Sequence, residues 1–242
     1  MLRRHSDRSL VKIRQLHDWD LTPTEAVRLQ RELADQVDAR TPLGRCDLIA
    51  GADVSYQRFG KTLYAGVVVL RLPEMTVVER QGAVWATEFP YIPGLLSFRE
   101  APALLAALAK VESEPDVVML DGQGYSHPRR CGLACHIGLW LNRPCLGCAK
   151  SRLIGTFGRL GRKVGARAAL VDREEVIGAV VRTKTGVKPV FASVGHRIDL
   201  DSAVRTILAA GAGYRVPEPT RLADQHVNAL RRARLAENSG GV

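Results

Sequence analysis

The sequence has no apolar run near the roughly 20 residues that cross a bilayer, so no membrane-spanning helix is expected. Its opening stretch, MLRRHSDRSLVKIR, is positively charged but lacks the apolar segment of a secretory signal, and a cytoplasmic protein is expected. Cysteines are few and odd in number, at positions 46, 131, 135, 145 and 148, which does not suggest a disulfide framework. Cys131, Cys135, Cys145 and Cys148 have a zinc-like count, but they fall in apolar stretches, with loose spacing and no knuckle glycines. There is no internal repeat, and no linker rich in Pro, Gly or Ser divides the chain. Aromatic residues are sparse at 5%, and acidic residues are the minority charge, 25 against 35 basic.

What is present is a core and a basic surface. The 242 residues are 46% hydrophobic, enough for one large domain and too many for a disordered chain. The net charge of +10 favours a polyanionic partner over a merely soluble surface.

The elements read as follows. Thr22-Pro23-Thr24-Glu25 starts a helix with a capping box and a proline in the first turn. Ala26, Leu29, Leu33 and Val37 mark its apolar face. Residues 1–21 before it read as a loosely ordered basic arm. Strands are expected at 48–56, 61–71 and 75–85, an antiparallel meander with turns at Phe59-Gly60 and Leu72-Pro73-Glu74. A helix is expected from about 97 to 111, then a buried parallel strand at 117–120. A helix at 133–141 and a short strand at 144–148 come next. A hairpin over 176–183 and 189–194 turns around Lys184–Lys188. A helix starts at Asp199 or Asp201, and Thr220 caps a final basic helix. Residues 236–242 read as a flexible tail, leaving one α/β domain over 22–235, a mixed sheet covered by helices.

Acids carry the chemistry. Asp121 closes the apolar run VVML and precedes Gly122-Gln123-Gly124; a charge there is costly unless paired. Asp53 sits inside the apolar strand LIAGADVSY, where it must meet a metal or a basic side chain. Glu100 ends PYIPGLLSFRE and could equally complete a capping box from Ser97, although Pro102 then falls inside the helix. Clustered carboxylates in a basic protein suggest a hard divalent cation and phosphodiester chemistry. Lys150, ending PCLGCAK, suits a phosphate or plain solvent. His196 ends another strand and reads as a core histidine or a site group. Arg129 and Arg130, ahead of a helix, suit phosphate contacts. Tyr91, stiffened by Pro90 and Pro93, suits insertion into a base stack or a plain loop plug.

Together the blocks GADVSY, PYIPGLLSFRE, DGQGYSHPRRCGLA, CAKSRLIG, VGHRIDLDSA and TRLADQHVN resemble the endonuclease V family, in order and over most of the chain. The resemblance implies a ribonuclease H-like mixed β-sheet flanked by helices. It implies magnesium-dependent cleavage (manganese substituting) of the second phosphodiester bond 3′ to inosine, leaving 3′-hydroxyl and 5′-phosphate ends. Asp53, Asp121 and Glu100 match its metal-binding acids, His196 a histidine of the same site, and Lys150 the lysine beside the scissile phosphate. Tyr91 matches the wedge that replaces the flipped base. Ile92, Pro93, Gly94, Leu96, Gly122, Gly124, His127, Arg129, Leu133, Gly147 and Leu153 match its nucleic-acid-binding and base-pocket positions. Cys135 stands where a serine is usual and Cys148 where a small aliphatic is usual, neither at a catalytic position. The implied partner is DNA containing deoxyinosine, with inosine RNA as a second substrate, no membrane and no obligate protein partner. The rival readings are a junction resolvase of the same fold, which would lack the PYIPG wedge, a binding module that cuts nothing, and a zinc-stabilised basic domain.

Overall fold

A computed structural model of the chain describes residues 11–57 and 60–239, with the side chains of 238 and 239 left aside. Residues 1–10 of the expected arm, Phe59 of the first expected turn and residues 240–242 of the expected tail lie outside it.

Helix α1 (Pro23–Ala34) begins as the sequence dictates. The Thr22 side chain accepts from the Glu25 backbone, and Glu25 reaches back to the Thr22 N–H at 2.8 Å. Strands β1 (Leu48–Tyr56), β2 (Thr62–Arg71) and β3 (Thr76–Ala86) form the antiparallel meander. Then come α2 (Leu96–Leu108), β4 (Val117–Leu120), α3 (Leu133–Leu141), β5 (Cys145–Ala149), β6 (Arg167–Asp172), β7 (Glu175–Val181), β8 (Val190–His196), α4 (Leu200–Ala209) and α5 (Glu218–Ser239). The strands make one eight-stranded sheet in the order β3-β2-β1-β4-β5-β8-β7-β6. β4 runs parallel to β1 and β5 parallel to β4, while β8 returns antiparallel to β5.

Strand periodicity sorts the two faces. Ala50, Ala52, Val67, Val69, Val118 and Leu120 face one way, onto Leu104, Leu108, Ile137 and Trp140 of α2 and α3. Ile49, Val68, Met119 and Leu146 face the other way, toward Val204 and Ile207 of α4 and Leu222 of α5. α5 lies directly on β1 and β2. A Cβ on Gly51 would come 2.0 Å from the Pro219 carbonyl oxygen, and one on Gly66 would come 2.9 Å from Val227 Cβ. Only glycine admits that approach.

Four expectations need correction. Residues 11–21 are not a loose arm. Val11 is buried, Trp19 stacks on Trp140 with centroids 4.9 Å apart, and the Arg14 N–H donates to the Trp140 carbonyl at 2.7 Å. The apolar side chains of that segment cover α3, which is buried along its whole length. The tail is not free from 236 onward, because α5 continues to Ser239. Thr220 does not cap α5. The helix begins two residues earlier, and the Thr220 hydroxyl donates back to the Pro217 carbonyl at 3.2 Å. No capping box forms at Ser97, since α2 starts at Leu96 with Leu95 as an uncapped N-cap, and Pro102 is buried inside it.

Candidate acid centre and base pocket

Asp53 follows Gly51 by two residues on β1, so it points to the face that α5 covers. Ser55, two further on, confirms the direction by donating to Asn228 Oδ1 of α5 at 2.8 Å. Asp121 follows Met119 by two residues and leaves β4 on the same face, its N–H bonded to the Ala52 carbonyl at 3.1 Å. α5 supplies a third acid, Asp224. The ligand oxygens of Asp53, Asp121 and Asp224 all lie within 4.8 Å of one another. Lys150, just past β5, places its Nζ 2.5 Å from Asp121 Oδ2 and 3.6 Å from Asp224 Oδ1.

One ammonium against three carboxylates leaves the cluster anionic, and the protonation equilibria register it. Burial, then the Asp121 charge, pushes the Asp53 carboxyl up to about 8, although the Val54 N–H donates to it. Burial pulls the Lys150 ammonium down, but its bond to Asp121 and the charges of Asp53 and Asp224 outweigh that and hold it above its usual range. A set of hard oxygen donors with unneutralised negative charge fits a divalent cation such as magnesium or manganese.

Glu100 is not one of the three converging acids, although it lines the same cavity and feels the Asp121 charge. It comes from α2, on the other face, and accepts from the Tyr56 hydroxyl at 2.8 Å. Burial raises its carboxyl to about 7, opposed by the Tyr56 hydrogen bond and the neighbouring Arg99.

A cavity of about 630 Å³ opens over the acids. It is lined by Asp53, Glu100, Asp121, Lys150, Tyr91, Pro93, Gly94, Leu96, Gly122, His127, Leu133 and Leu153, and also by Gln30, Tyr56 and Asp224. Tyr91 is 41% exposed at its mouth. The loop carrying it is fixed at both ends. Arg99 donates to the Phe89 and Gly60 carbonyls, and Arg129 donates to the Gly94 carbonyl at 2.6 Å and to the Gln30 side chain. Gly94 holds φ 81°, which suits glycine. Burial and then Arg129 push His127 down to about 4, so its ring is neutral at physiological pH.

Five expected site residues do not line this cavity. Arg129 is the buttress just described and does not line the cavity; Arg130 is likewise taken, by Asp172 at 2.9 Å and Glu175 at 2.7 Å. Ile92 packs against the Phe89, Leu95 and Phe98 cluster. Gly124 and Gly147 serve close packing: a Cβ on Gly124 would meet the Val194 carbonyl at 2.0 Å, and one on Gly147 the Gly122 carbonyl at 2.5 Å. His196 is a correction of another kind. β8 runs antiparallel to β5, so His196 pairs with Cys145, the first residue of β5, whereas Lys150 follows the last. That puts it roughly 15 Å from the acids at the rise of a strand. It is buried there, its Nδ1 accepting from the Asp38 N–H at 3.2 Å.

Asp224 is the acid that the sequence reading missed. Thr220, Ala223 and Val227 are fully buried, and Asp224 sits at the three- and four-residue spacings of that stripe. A lone charge on an apolar helical stripe was the available signal. The cysteines do not converge: Cys131 and Cys135 lie in one small cluster, while Cys145 and Cys148 face opposite sides of β5.

A mixed sheet of this order, with one acid within β1 and one just past the end of the adjacent parallel strand β4, is a ribonuclease H-like nuclease architecture. Comparison with known proteins narrows it. The family model described as endonuclease V matches residues 30–225. The chain is 50% identical over 211 residues to an endonuclease V of Dehalococcoides mccartyi, covering 87% of this chain and 95% of that protein. The endonuclease V structure from Streptomyces avermitilis superposes with a TM-score of 0.85 at 40% identity, covering 92% of this chain and 99% of that one. The Ciona intestinalis enzyme, solved in complex with a 24mer DNA containing an inosine followed by a ribo-adenosine, gives 0.76 at 28% identity, covering 87% and 97%. The chain belongs to the endonuclease V family, and is thus a nuclease hydrolase. Among the described residues no helix is long and apolar enough to cross a membrane.

Proposed function

We propose that the protein is a divalent-metal-dependent repair nuclease that recognises inosine in DNA. It hydrolyses the second phosphodiester bond on the 3′ side, leaving 3′-hydroxyl and 5′-phosphate ends. The observation that carries this reading is a single cavity holding an anionic acid cluster, a lysine and an exposed, doubly anchored tyrosine. Asp53, Asp121 and Asp224 would hold magnesium, or manganese in its place. The bound ion would neutralise charge at the scissile phosphate and acidify water there.

The chain's own groups do the rest. The Lys150 ammonium, kept charged by its acid neighbours, meets a phosphate oxygen at the cavity mouth. Glu100, with its carboxyl near 7, exchanges a proton at neutral pH without leaving the cavity. Tyr91 fills the gap left when the base leaves the stack; extrusion costs a few kcal/mol, less for a weak pair, which favours the lesion. The base then meets the Gly94 and Gly122 backbones, the Leu133 side chain and the neutral His127 ring, which read its edge without adding charge. Inosine-bearing RNA shares that edge and is the second substrate to try.

The test uses end-labelled DNA and RNA of one sequence, each with one inosine, incubated with magnesium or with chelator. The expected product is a single cut one nucleotide beyond the bond adjoining the inosine, seen only with metal. Cutting of adenosine-bearing controls at the same rate would remove the inosine reading, and cutting in chelator would remove the metal.

A further inference from the structure

A second cavity of about 510 Å³ lies at the opposite end of the sheet. Its place follows from the topology: Pro144 leads into β5 and Arg197 follows β8, while Lys150 leaves the other end of β5. It shares no residue with the acid cavity. Lys12, Arg14, Arg143 and Arg197 line it beside Leu43 and Leu141, and among the described residues no carboxylate does. Arg143 pairs with Glu114, but Lys12, Arg14 and Arg197 make no ion pair among the described residues.

The guanidinium groups converge. With its amide turned to satisfy both, the Asn142 side-chain oxygen accepts from Arg14 at 2.9 Å and from Arg197 at 3.3 Å. A neutral oxygen cannot neutralise two cations that repel each other. Arg197 also holds φ 50°, a left-handed conformation that costs a non-glycine residue free energy, between the buried His196 and Ile198. Planar guanidinium forks match phosphate oxygens in pairs, and Lys12 adds a point charge. The volume falls in the range of small-ligand sites, about 300–1,000 Å³.

We infer that this cavity is a second phosphate-binding site, remote from the acid centre, that takes adjacent phosphates of a nucleotide-sized polyanion. The source is either a free polyphosphate or the backbone of a nucleic-acid strand, and both present the same chemistry. The site does not depend on the inosine reading.

The full chain would be titrated calorimetrically with inorganic tripolyphosphate in chelator, as wild type, as Arg14→Ala/Arg197→Ala and as Lys150→Ala. Wild type and Lys150→Ala should bind alike, and the double variant at least about tenfold more weakly. Its cutting of inosine DNA with magnesium should stay within about twofold of wild type. If the double variant fails to fold, Arg197→Glu alone should show the same loss and also lose the rise in melting temperature that the ligand gives wild type. A ten-nucleotide single strand at equal phosphate concentration then competes against tripolyphosphate. Displacement assigns the backbone, and no displacement assigns a free polyphosphate. No binding to wild type at millimolar ligand, or binding lost in Lys150→Ala and kept in the double variant, overturns the site.

Discussion

Asp53→Asn should stabilise the metal-free protein while destroying its activity. In the folded chain the Asp53 carboxyl titrates near 8, against 3.8 for the ordinary group, through burial and then the Asp121 charge. A carboxyl pKa raised by folding gives stability that is full below the unfolded value and is lost as pH climbs to the folded one. Between pH 6 and 8 the unfolded carboxyl is already ionised while the folded one still holds its proton. The folded state therefore loses about 1.4 kcal/mol per pH unit over that window. Allowing for the flattening near pH 8 and for solvent at a half-buried group, the loss is about 2 kcal/mol. An asparagine keeps the bond from the Val54 N–H, which is 2.8 Å long in the wild type, and does not titrate. The variant should thus lack this slope. In chelator its melting temperature relative to wild type should be about 4–8 °C higher at pH 8 than at pH 6, and the gap should close only as the pH falls toward about 4. Magnesium should raise the melting temperature of wild type more at pH 8 than at pH 6, and that of the variant little at either. Thermal melts at both pH values, cross-checked by urea denaturation, read all of this. Equal pH slopes for the two proteins would refute the reasoning, because Asp53 would then not be held protonated by its surroundings.

Asp224→Asn should slow single-turnover cutting of inosine DNA by about a hundredfold or more, whereas His196→Ala should stay within a few-fold and lose about 1 kcal/mol of stability with the Asp38 bond; the reverse ranking would restore His196 to the site. Tyr56→Phe removes the hydrogen bond that lowers the Glu100 carboxyl, so the acid limb of the pH–rate profile should move to higher pH, and an unmoved limb would detach Glu100 from the reaction. Tyr91→Ala should weaken binding of inosine DNA measured in calcium by about tenfold, since stacking contributes about 1–3 kcal/mol per base. Arg129→Met should do the same through the loop, and an unchanged lesion preference in both would count against the wedge. Neutralising the exposed Arg152, Arg159, Arg162 and Lys163 together should flatten the salt dependence, which for four to six phosphates amounts to a factor of about a hundred or more in affinity between 50 and 200 mM salt; a wild-type slope near zero would place the nucleic-acid face elsewhere.

Much of the fold is written in local patterns. Thr22 to Glu25 caps α1, the apolar run VVML becomes the buried β4, and the expected turn at Leu72-Pro73-Glu74 falls between β2 and β3. β6 was missed for a physical reason. It is an edge strand of six residues in which only Leu170 is fully buried, so its sequence carries little apolar signal. The site was legible where a charge interrupts an apolar strand, as at Asp53 and Asp121. It was illegible where direction decides. Nothing within VFASVGH states that β8 runs antiparallel to β5, so a histidine at its end looked as close to the acids as a lysine at the end of β5. Asp224 was hidden for the complementary reason. Its partners lie about 100 and 170 positions earlier, and no spacing along α5 reveals them. Arg129 and Arg130 looked like free cations because sequence does not show that Gly94, Asp172 and Glu175 claim them.

The acid cluster draws one member from β1, one from just past the end of β4 and one from α5, the last of the described helices. A nascent polypeptide can pair β1 with β4 and bury most of the sheet long before Asp224 is synthesised. During that interval Asp53 and Asp121 face an uncovered surface, with Gly51 and Gly66 bare where Pro219 and Val227 will later lie. A chain cut short before α5 therefore lacks the third acid of the cluster as well as the cover of β1 and β2. On the proposed reading of the acids, the docking of α5 would at once cover β1 and β2 and complete the metal site.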